Sequence, residues 1–191
     1  YIRAVLRHQH PGLAPKVDAA AEMPWPMPNV WEGCTVESGK EAERIDEIPE
    51  APVRMISAEP LLGPLVLPDY VSGERWWVIA GGESGNGARP MHPVWVRQLR
   101  DKCQEHGVPF LFKQWGAWTP RDHRIHGDIP RQPVVRLGEH GHDTRNLANC
   151  GDDMGEEVYM QRVGKKASGC ELDGQRWNEF PPVLPTGEVS D

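Results

Sequence analysis

Charged and polar side chains follow four apolar segments of the chain, and the ends of buried strands are where α/β proteins commonly carry their chemistry. Glu37, Glu59 and Glu83 each come directly after such a segment, and Lys113 and Gln114 end the fourth. Three carboxylates, an ammonium group and an amide at matching positions could bind a polar ligand, transfer protons or share a cation. These five residues therefore form a candidate site.

The most distinctive of these segments is 76–90, WWVIAGGESGNGARP, in which an apolar run ends in glycines and a lone carboxylate. Gly81 and Gly82 would let Glu83 stand beside a ligand without obstruction by neighbouring side chains. Arg89 is expected either to pair with Glu83 or to hold an anion such as a carboxylate or phosphate. The segment is thus predicted to mark a binding site.

Specific roles can be assigned to two of the candidates. We predict that Glu83 and Lys113 are catalytic, Glu83 as a proton acceptor or hydroxyl ligand and Lys113 as a charged substrate contact. The residues predicted to bind substrate or cofactor are Glu37, Glu59, Gly81, Gly82, Ser84, Arg89 and Gln114. No metal ligands are predicted, because the paired histidines of the chain lie in loop-like or terminal stretches without a Glu-x-x-His helix nearby.

The segments that position these residues read as strands that alternate with helical or loop-like stretches. The strand-like runs cover 29–38, 52–63, 75–85 and 108–116. The clearest helix lies at 92–107, where Pro93 suits the first turn and Gly107 suits the left-handed residue after the end. Val96, Leu99 and Cys103 form its buried stripe.

This order predicts an α/β fold with parallel strands, because crossover connections return the chain in the same direction. The strands are near-continuous apolar runs, as is typical when both faces of a sheet are covered. Four such units correspond to the C-terminal half of a (β/α)8 barrel, and a four-stranded open sheet is the alternative. In a barrel, all four strand ends would lie on the face that holds active sites.

The chain divides into three regions. Residues 1–28 are predicted to be the end of a helix and a Pro/Ala-rich link, and 29–116 to be the four barrel units. Residues 117–191 are predicted to be an irregular extension, with a hairpin turning at Asp173 and Gly174. Half a barrel would leave open strand edges, so we expect it to pair with a missing N-terminal half barrel or a partner chain.

Composition limits the classes of function. The formal net charge of −7 gives no general attraction to nucleic acid or to anionic membranes, although a local basic groove is still compatible with it. No apolar run is long enough to span a bilayer and no signal peptide opens the sequence, so a cytoplasmic protein without a membrane partner is expected. The four cysteines show no C-x-x-C spacing, which is typical of free thiols.

Five phrases of the sequence resemble one family in order and in register. They are PNVWEGCTVES, RMISAEPLLGPL, WWVIAGGESGNGARPMHPVWVRQLRDKC, GVPFLFKQWGAW and RVGKKASGCELDGQRWNEFP. The family is the phage gene-product-37/68 family, also described as domain of unknown function 5131. The resemblance covers the chain from about residue 28 to residue 181 and corresponds to the C-terminal portion of the family.

The resemblance implies a distant relationship to radical S-adenosylmethionine enzymes, which have a barrel fold and an N-terminal three-cysteine motif that holds a [4Fe–4S] cluster. We expect that motif to precede Tyr1 in a longer protein. This chain alone would then hold no cofactor and be inactive, whereas the complete protein would use [4Fe–4S] and S-adenosylmethionine on an unknown small-molecule or nucleic-acid substrate.

Two other functions are left open by the sequence. One is a non-catalytic phage accessory protein that binds nucleic acid or a host partner through Arg162, Lys165, Lys166 and Trp177. The other is a hydrolase with a divalent cation held by Glu37, Glu59 and Glu83. The first predicts binding that weakens steeply with salt, and the second predicts inhibition by chelators.

Overall fold

Two β-sheets organise the described part of the chain. The computed structural model describes residues 29–121, 134–138 and 158–182. It contains a four-stranded parallel sheet and a three-stranded antiparallel sheet. The helix and link predicted within 1–28 lie outside the described residues, as do Cys150 and the paired histidines. Neither described helix is long and apolar enough to cross a membrane.

The parallel sheet contains the four predicted strands in their sequence order. They are β1 (Glu32–Thr35), β2 (Arg54–Ala58), β3 (Trp76–Gly81) and β4 (Phe110–Gln114). Each strand pairs in parallel with the next, so the spatial order is β1-β2-β3-β4. A 3-10 helix, Gly39–Ile45, connects β1 to β2, and a longer helix, α1 (Pro93–Glu105), connects β3 to β4. The prediction of an α/β fold with parallel strands is confirmed at this level.

Helix α1 begins and ends at the residues that the sequence indicates. The His92 side chain caps its first turn, because Nδ1 accepts a hydrogen bond from the Val94 amide at 3.1 Å, and Pro93 occupies the first turn. Gly107 lies just beyond the end in the left-handed region at φ 65°. The helix buries Trp95, Val96, Leu99 and Cys103.

The face of the parallel sheet that belongs to the core is buried along β2, β3 and β4, apart from the half-buried Arg54 at the start of β2. Side chains alternate between the two faces of a strand, so every second residue of β2, β3 and β4 points to this core. These residues are Ile56, Ala58, Trp76, Val78, Ala80, Phe110, Phe112 and Gln114. Their apolar members belong to one cluster with the buried side chains of α1 and with Leu61, Leu65 and Leu67 of the connection after β2. This core holds the four strand ends at fixed positions.

The opposite face, which we call the open face, is only half-buried in the described residues. It carries Met55, Ser57, Trp77, Ile79 and Leu111. The apolar runs predicted burial on both faces, and the structure shows a buried core on one. The reason is that α1 and the connection after β2 supply the buried core, whereas no described helix covers the other side.

The last described segment, 170–182, runs along the outer edge of β4, and we call it the strap. The Phe112 amide donates to the Trp177 carbonyl at 2.9 Å, and the Glu179 amide donates to the Phe110 carbonyl at 3.1 Å. The Glu179 carboxylate also accepts a hydrogen bond from the Phe110 amide at 2.9 Å. The strap therefore satisfies the edge of β4 that would otherwise be unpaired.

A tight turn anchors the strap to α1. Asp173 and Gly174 both have positive φ, at 56° and 75°, between the bridged residues 172 and 175, which confirms the predicted turn. The Asp173 carboxylate accepts from Arg97 Nε at 2.9 Å and from Arg100 Nη1 at 2.7 Å. These charge-assisted bonds hold the pKa of Asp173 below its ordinary value, mainly through the hydrogen bond from Arg97.

The described parts of 117–191 contain three strands, where the sequence predicts an irregular extension. The antiparallel sheet consists of β5 (Trp118–Arg121), β6 (Val134–Leu137) and β7 (Val158–Arg162), in the order β5-β7-β6. Each strand has four or five residues, and Pro120 interrupts the pattern of β5. Such short strands, paired across a long polar stretch, give a weak periodic signal.

We predict that Asp173→Asn lowers the free energy of unfolding by about 1 kcal/mol, because it removes two charge-assisted hydrogen bonds while keeping a residue that tolerates positive φ. Asp101→Asn is the matched control: Asp101 also pairs with Arg100, at 2.7 Å, but is largely exposed. The free energy of unfolding should fall less in Asp101→Asn, by at most ~0.5 kcal/mol. Urea unfolding at neutral pH measures both, and equal losses would contradict this role of the turn.

Candidate functional site

The predicted site residues lie at the carboxyl edge of the parallel sheet, where the loops after the strands are joined by backbone hydrogen bonds. The Leu62 amide, after β2, donates to the Glu37 carbonyl, after β1, at 2.7 Å. The Gly82 amide, after β3, donates to the Gln114 carbonyl of β4 at 2.9 Å. The four strand ends therefore form one continuous edge.

A polar cluster spans this edge from β2 to β4. Lys113 Nζ donates to Glu59 Oε2 at 2.9 Å, and Gln114 Nε2 lies 3.4 Å from Glu59 Oε1. The Glu59 side chain is 20% exposed and the Lys113 side chain is 53% exposed. The cluster thus places a largely buried carboxylate beside a more accessible ammonium group.

Gly81 makes this cluster sterically feasible. Strands β2 and β4 are not neighbours, because β3 lies between them. A Cβ atom on Gly81 would lie 3.1 Å from Glu59 Oε1 and 3.2 Å from its carboxyl carbon. The glycine at the end of β3 therefore leaves the space that the Glu59 carboxylate occupies, which explains a glycine at the end of an apolar strand.

Gly82 has a different role, because it brings two loops into backbone contact. A Cβ atom on Gly82 would lie 2.1 Å from the Trp115 carbonyl oxygen, and one on Gly116 would lie 2.2 Å from the Glu83 carbonyl oxygen. Gly116 also has a positive φ of 81°. The Ala117 amide donates to the same Glu83 carbonyl at 2.8 Å. The loops after β3 and β4 are consequently locked together.

Glu83 is held by Arg89, as one of the two sequence interpretations predicts. Arg89 donates from Nε and Nη2 to the two carboxylate oxygens at 2.8 and 2.7 Å, and from its backbone amide at 2.7 Å. These hydrogen bonds, chiefly those from the Arg89 side chain, hold the pKa of Glu83 below its ordinary value. Because such a carboxylate is a weak base, the geometry favours a structural role, and proton acceptance by Glu83 stays a prediction.

Ser84 is exposed in the loop after β3. Glu37 is paired with a cationic side chain, that of Arg44. Arg44 Nη1 donates to Glu37 Oε2 at 2.9 Å and to the Thr35 carbonyl at 3.0 Å. The three predicted carboxylates are therefore each paired with a separate cationic side chain. Among the described residues, no group of three or more His, Cys, Asp or Glu side chains could hold a metal ion. The geometry gives the divalent-metal hydrolase no support.

The described cysteines do not fit an iron–sulfur cluster. Cys34 and Cys170 are half-buried, Cys103 is buried in α1, and all three are free thiols. Burial raises the pKa of the Cys34 and Cys103 thiols, which opposes formation of the thiolates that bind iron.

The residues predicted to form a basic contact patch do not share one environment. Lys165 and Lys166 are exposed, but Arg162 donates to the Gly85 carbonyl at 3.1 Å. Trp177 is half-buried in the strap, with its ring centroid 6.2 Å from that of Phe110. Its indole is thus part of the packing on β4, which weakens the case for the accessory-protein alternative.

Two contributors to the site have no signal in the sequence. Arg44 lies in the 3-10 helix, and its pairing with Glu37 follows from how that helix folds back towards β1. Gly116 looks like an ordinary loop glycine, and its close contact with Glu83 depends on the positions of two separate strands. The feature of the sequence that does indicate this close packing is the pair Gly81-Gly82.

We predict that Gly82→Ala lowers the free energy of unfolding by about 3 kcal/mol or more, because the new methyl group would overlap the Trp115 backbone. Gly107→Ala is the control, since Gly107 has a positive φ but a Cβ atom added to it would meet no other atom within 4 Å. The free energy of unfolding should fall by about 1 kcal/mol in Gly107→Ala, because of the backbone conformation alone. Thermal or urea unfolding measures both, and similar losses would contradict the close packing of the two loops.

Comparison with known proteins identifies the family. No curated protein matches the chain significantly, and neither does any solved structure. The model of one family, described as protein of unknown function (DUF5131), matches residues 3–181 and so covers nearly all of the sequence. The chain is therefore a member of the DUF5131 family.

Proposed function

We propose that this chain is the C-terminal part of a barrel-type enzyme whose substrate or cofactor binds at the carboxyl edge, beside Glu59 and Lys113. The observation that carries the proposal is the cluster of Glu59, Lys113 and Gln114 over Gly81. Sites at the carboxyl ends of parallel strands are the rule in barrels and open α/β sheets alike.

The strand order supports a barrel over a doubly wound sheet. Doubly wound sheets reverse their strand order at a switch point, whereas barrel strands follow one another in sequence. Here the order β1-β2-β3-β4 is sequential, and the helix α1 packs on one face while the open face is half-buried. The open face would then be the interior of the barrel.

The strap refines this proposal. A closed eight-stranded barrel would pair its last strand with its first, but residues 177–179 already occupy the edge of β4. Strand β1 is paired only with β2 among the described residues. The proposed barrel is therefore open at β4, and further strands of the complete protein would join it at β1.

The cluster has the properties of a prearranged polar site. Lys113 is oriented by Glu59, so its ammonium group would meet a carboxylate, phosphate or carbonyl oxygen of a ligand with little reorganisation. Glu59 can accept a hydrogen bond from a ligand hydroxyl or amino group. The proposal therefore keeps Lys113 as the substrate contact and gives Glu59 more importance than Glu83.

The chemistry proposed for the complete phage-type protein is that of a radical S-adenosylmethionine enzyme. Support for this comes from the family resemblance of the strand-end phrases and from the barrel-like strand order. The [4Fe–4S] cluster would be held by residues preceding this chain, since the described cysteines do not fit it.

We predict that Lys113→Ala and Glu59→Gln weaken binding of S-adenosylmethionine or substrate to the complete gene product roughly ten- to hundred-fold, through loss of a charge-assisted hydrogen bond. Lys102→Ala is the control, because Lys102 pairs with Asp69 and Glu105 at the far end of α1. Calorimetric titration with S-adenosylmethionine measures the effect. Equal affinities for all variants would exclude the carboxyl edge as the site that binds S-adenosylmethionine.

We also predict that the complete gene product, purified without oxygen, contains about four iron and four sulfide ions per chain and is bleached by reductant. Metal and sulfide assays with a visible spectrum test this. A colourless protein that stays free of iron after reconstitution would rule out the radical mechanism but not the carboxyl-edge site.

A further inference from the structure

A row of three side chains crosses the outer face of the antiparallel sheet. Arg121 of β5, Tyr159 of β7 and Arg136 of β6 are direct partners in the register of the three strands. Directly opposed residues point to the same face of a sheet, with Cβ atoms about 5 Å apart. This row, which we call the Arg-Tyr-Arg row, therefore flanks one tyrosine with an arginine on either side.

The face that carries the row is turned away from the core. Side chains alternate between the two faces of a strand, and Met160 and Val135, the next residues along β7 and β6, are opposed and buried. Tyr159 is 36% exposed, and the two arginines are half-buried. The aromatic ring and the two cationic side chains thus belong to an outer surface of the described structure.

The antiparallel sheet is also the basic part of a chain whose formal net charge is −7. The described residues of 117–121, 134–138 and 158–169 include five basic side chains and no acidic one. The basic residues are Arg121, Arg136, Arg162, Lys165 and Lys166. Every described Asp and Glu lies in the parallel sheet, its connections or the strap. Positive charge concentrated on one sheet of an acidic chain indicates an anionic ligand.

The turn after β7 adds to this charge. Lys165 and Lys166 are exposed there, and the turn is fixed because the Val163 and Gly164 amides donate to the Ala117 carbonyl at 3.0 and 2.9 Å. Ala117 directly precedes β5, so the two lysines lie at the end of the sheet where β5 begins and β7 ends.

We propose that the Arg-Tyr-Arg row and the turn at Lys165 and Lys166 bind single-stranded nucleic acid. Unpaired bases stack on aromatic rings, while arginine and lysine side chains contact the phosphates between them. An aromatic residue between basic residues on a sheet face supplies both kinds of contact. An acidic peptide would use the charges but would leave the ring without a role.

The antiparallel sheet is joined to the carboxyl edge through the loop after β3. Arg162 Nη2 donates to the Gly85 carbonyl at 3.1 Å, and Trp118 Nε1 donates to the Ala88 carbonyl at 2.7 Å. Arg162 and Tyr159 are three residues apart on β7, which corresponds to about 10 Å. A strand bound on the row would therefore lie near the carboxyl edge, but its binding does not depend on the chemistry proposed there.

Fluorescence anisotropy with the complete gene product tests the binding. The probes are labelled oligo(dT) and oligo(U) of about 20 nucleotides, longer than the site of a small binding domain, and a labelled duplex of the same length. We expect at least one single strand to bind more tightly than the duplex, with an affinity that falls as salt rises. Tighter binding of oligo(U) would assign a contact to the 2′-hydroxyl group, and equal binding would assign the contacts to bases and phosphates.

Variants separate the ring from the charges. Tyr159→Ala should weaken binding roughly ten- to hundred-fold without changing its salt dependence, whereas Tyr159→Phe, which keeps the ring, should bind like the unsubstituted protein. Arg121→Gln and Arg136→Gln should each reduce the slope of log affinity against log salt by about 0.7. Arg75→Gln is the matched control, because it removes the same charge from an exposed position just before β3.

The proposal is overturned if neither single strand binds, if the duplex binds as tightly as the single strands, or if Tyr159→Ala leaves the affinity unchanged. It is also overturned if Arg75→Gln reduces the salt slope as much as the row variants do, since the attraction would then come from the charge of the whole protein. Urea unfolding checks that each variant is folded. Should Arg136→Gln fail to fold, Arg121→Gln on the opposite edge strand makes the same test.

Discussion

The ion pair between Glu59 and Lys113 is the interaction around which the polar cluster of the carboxyl edge is built. It joins the ends of two strands that do not touch, and it passes over β3 at the position where that strand ends in Gly81. A side chain at that position would press on the carboxylate. The buried core beneath fixes β2, β3 and β4 in register. The Glu59 carboxylate and the Lys113 ammonium group are therefore brought together beside Gly81.

The other features of the edge serve to keep this arrangement rigid. Gly82 and Gly116 let two loops touch through their backbones, which fixes where the end of β4 lies relative to the end of β3. The strap then satisfies the outer edge of β4, and its turn at Asp173 is fastened to α1 by two arginines. The outer edge of β4 is thereby paired, whereas among the described residues β1 pairs only with β2.

Local signals were sufficient to predict much of the fold. The four strands, and the helix between Pro93 and Gly107, follow from apolar runs and end signals that lie within each segment. The strap and the antiparallel sheet were not predicted in full, because their pairing joins segments far apart in the chain and their strands are short. Likewise, the polar residues at the strand ends could be identified, but Glu59 and Lys113 are 54 positions apart, so nothing local shows that they bond.

The most direct test of the proposed architecture is a crystal structure of the complete gene product. We predict a strand paired in parallel with β1, the strap in place on β4, and Glu59 and Lys113 still paired at the mouth of the enclosed space. A β1 edge that is unpaired or joined antiparallel to a second copy would contradict this architecture, and so would a parallel strand on β4 in place of the strap.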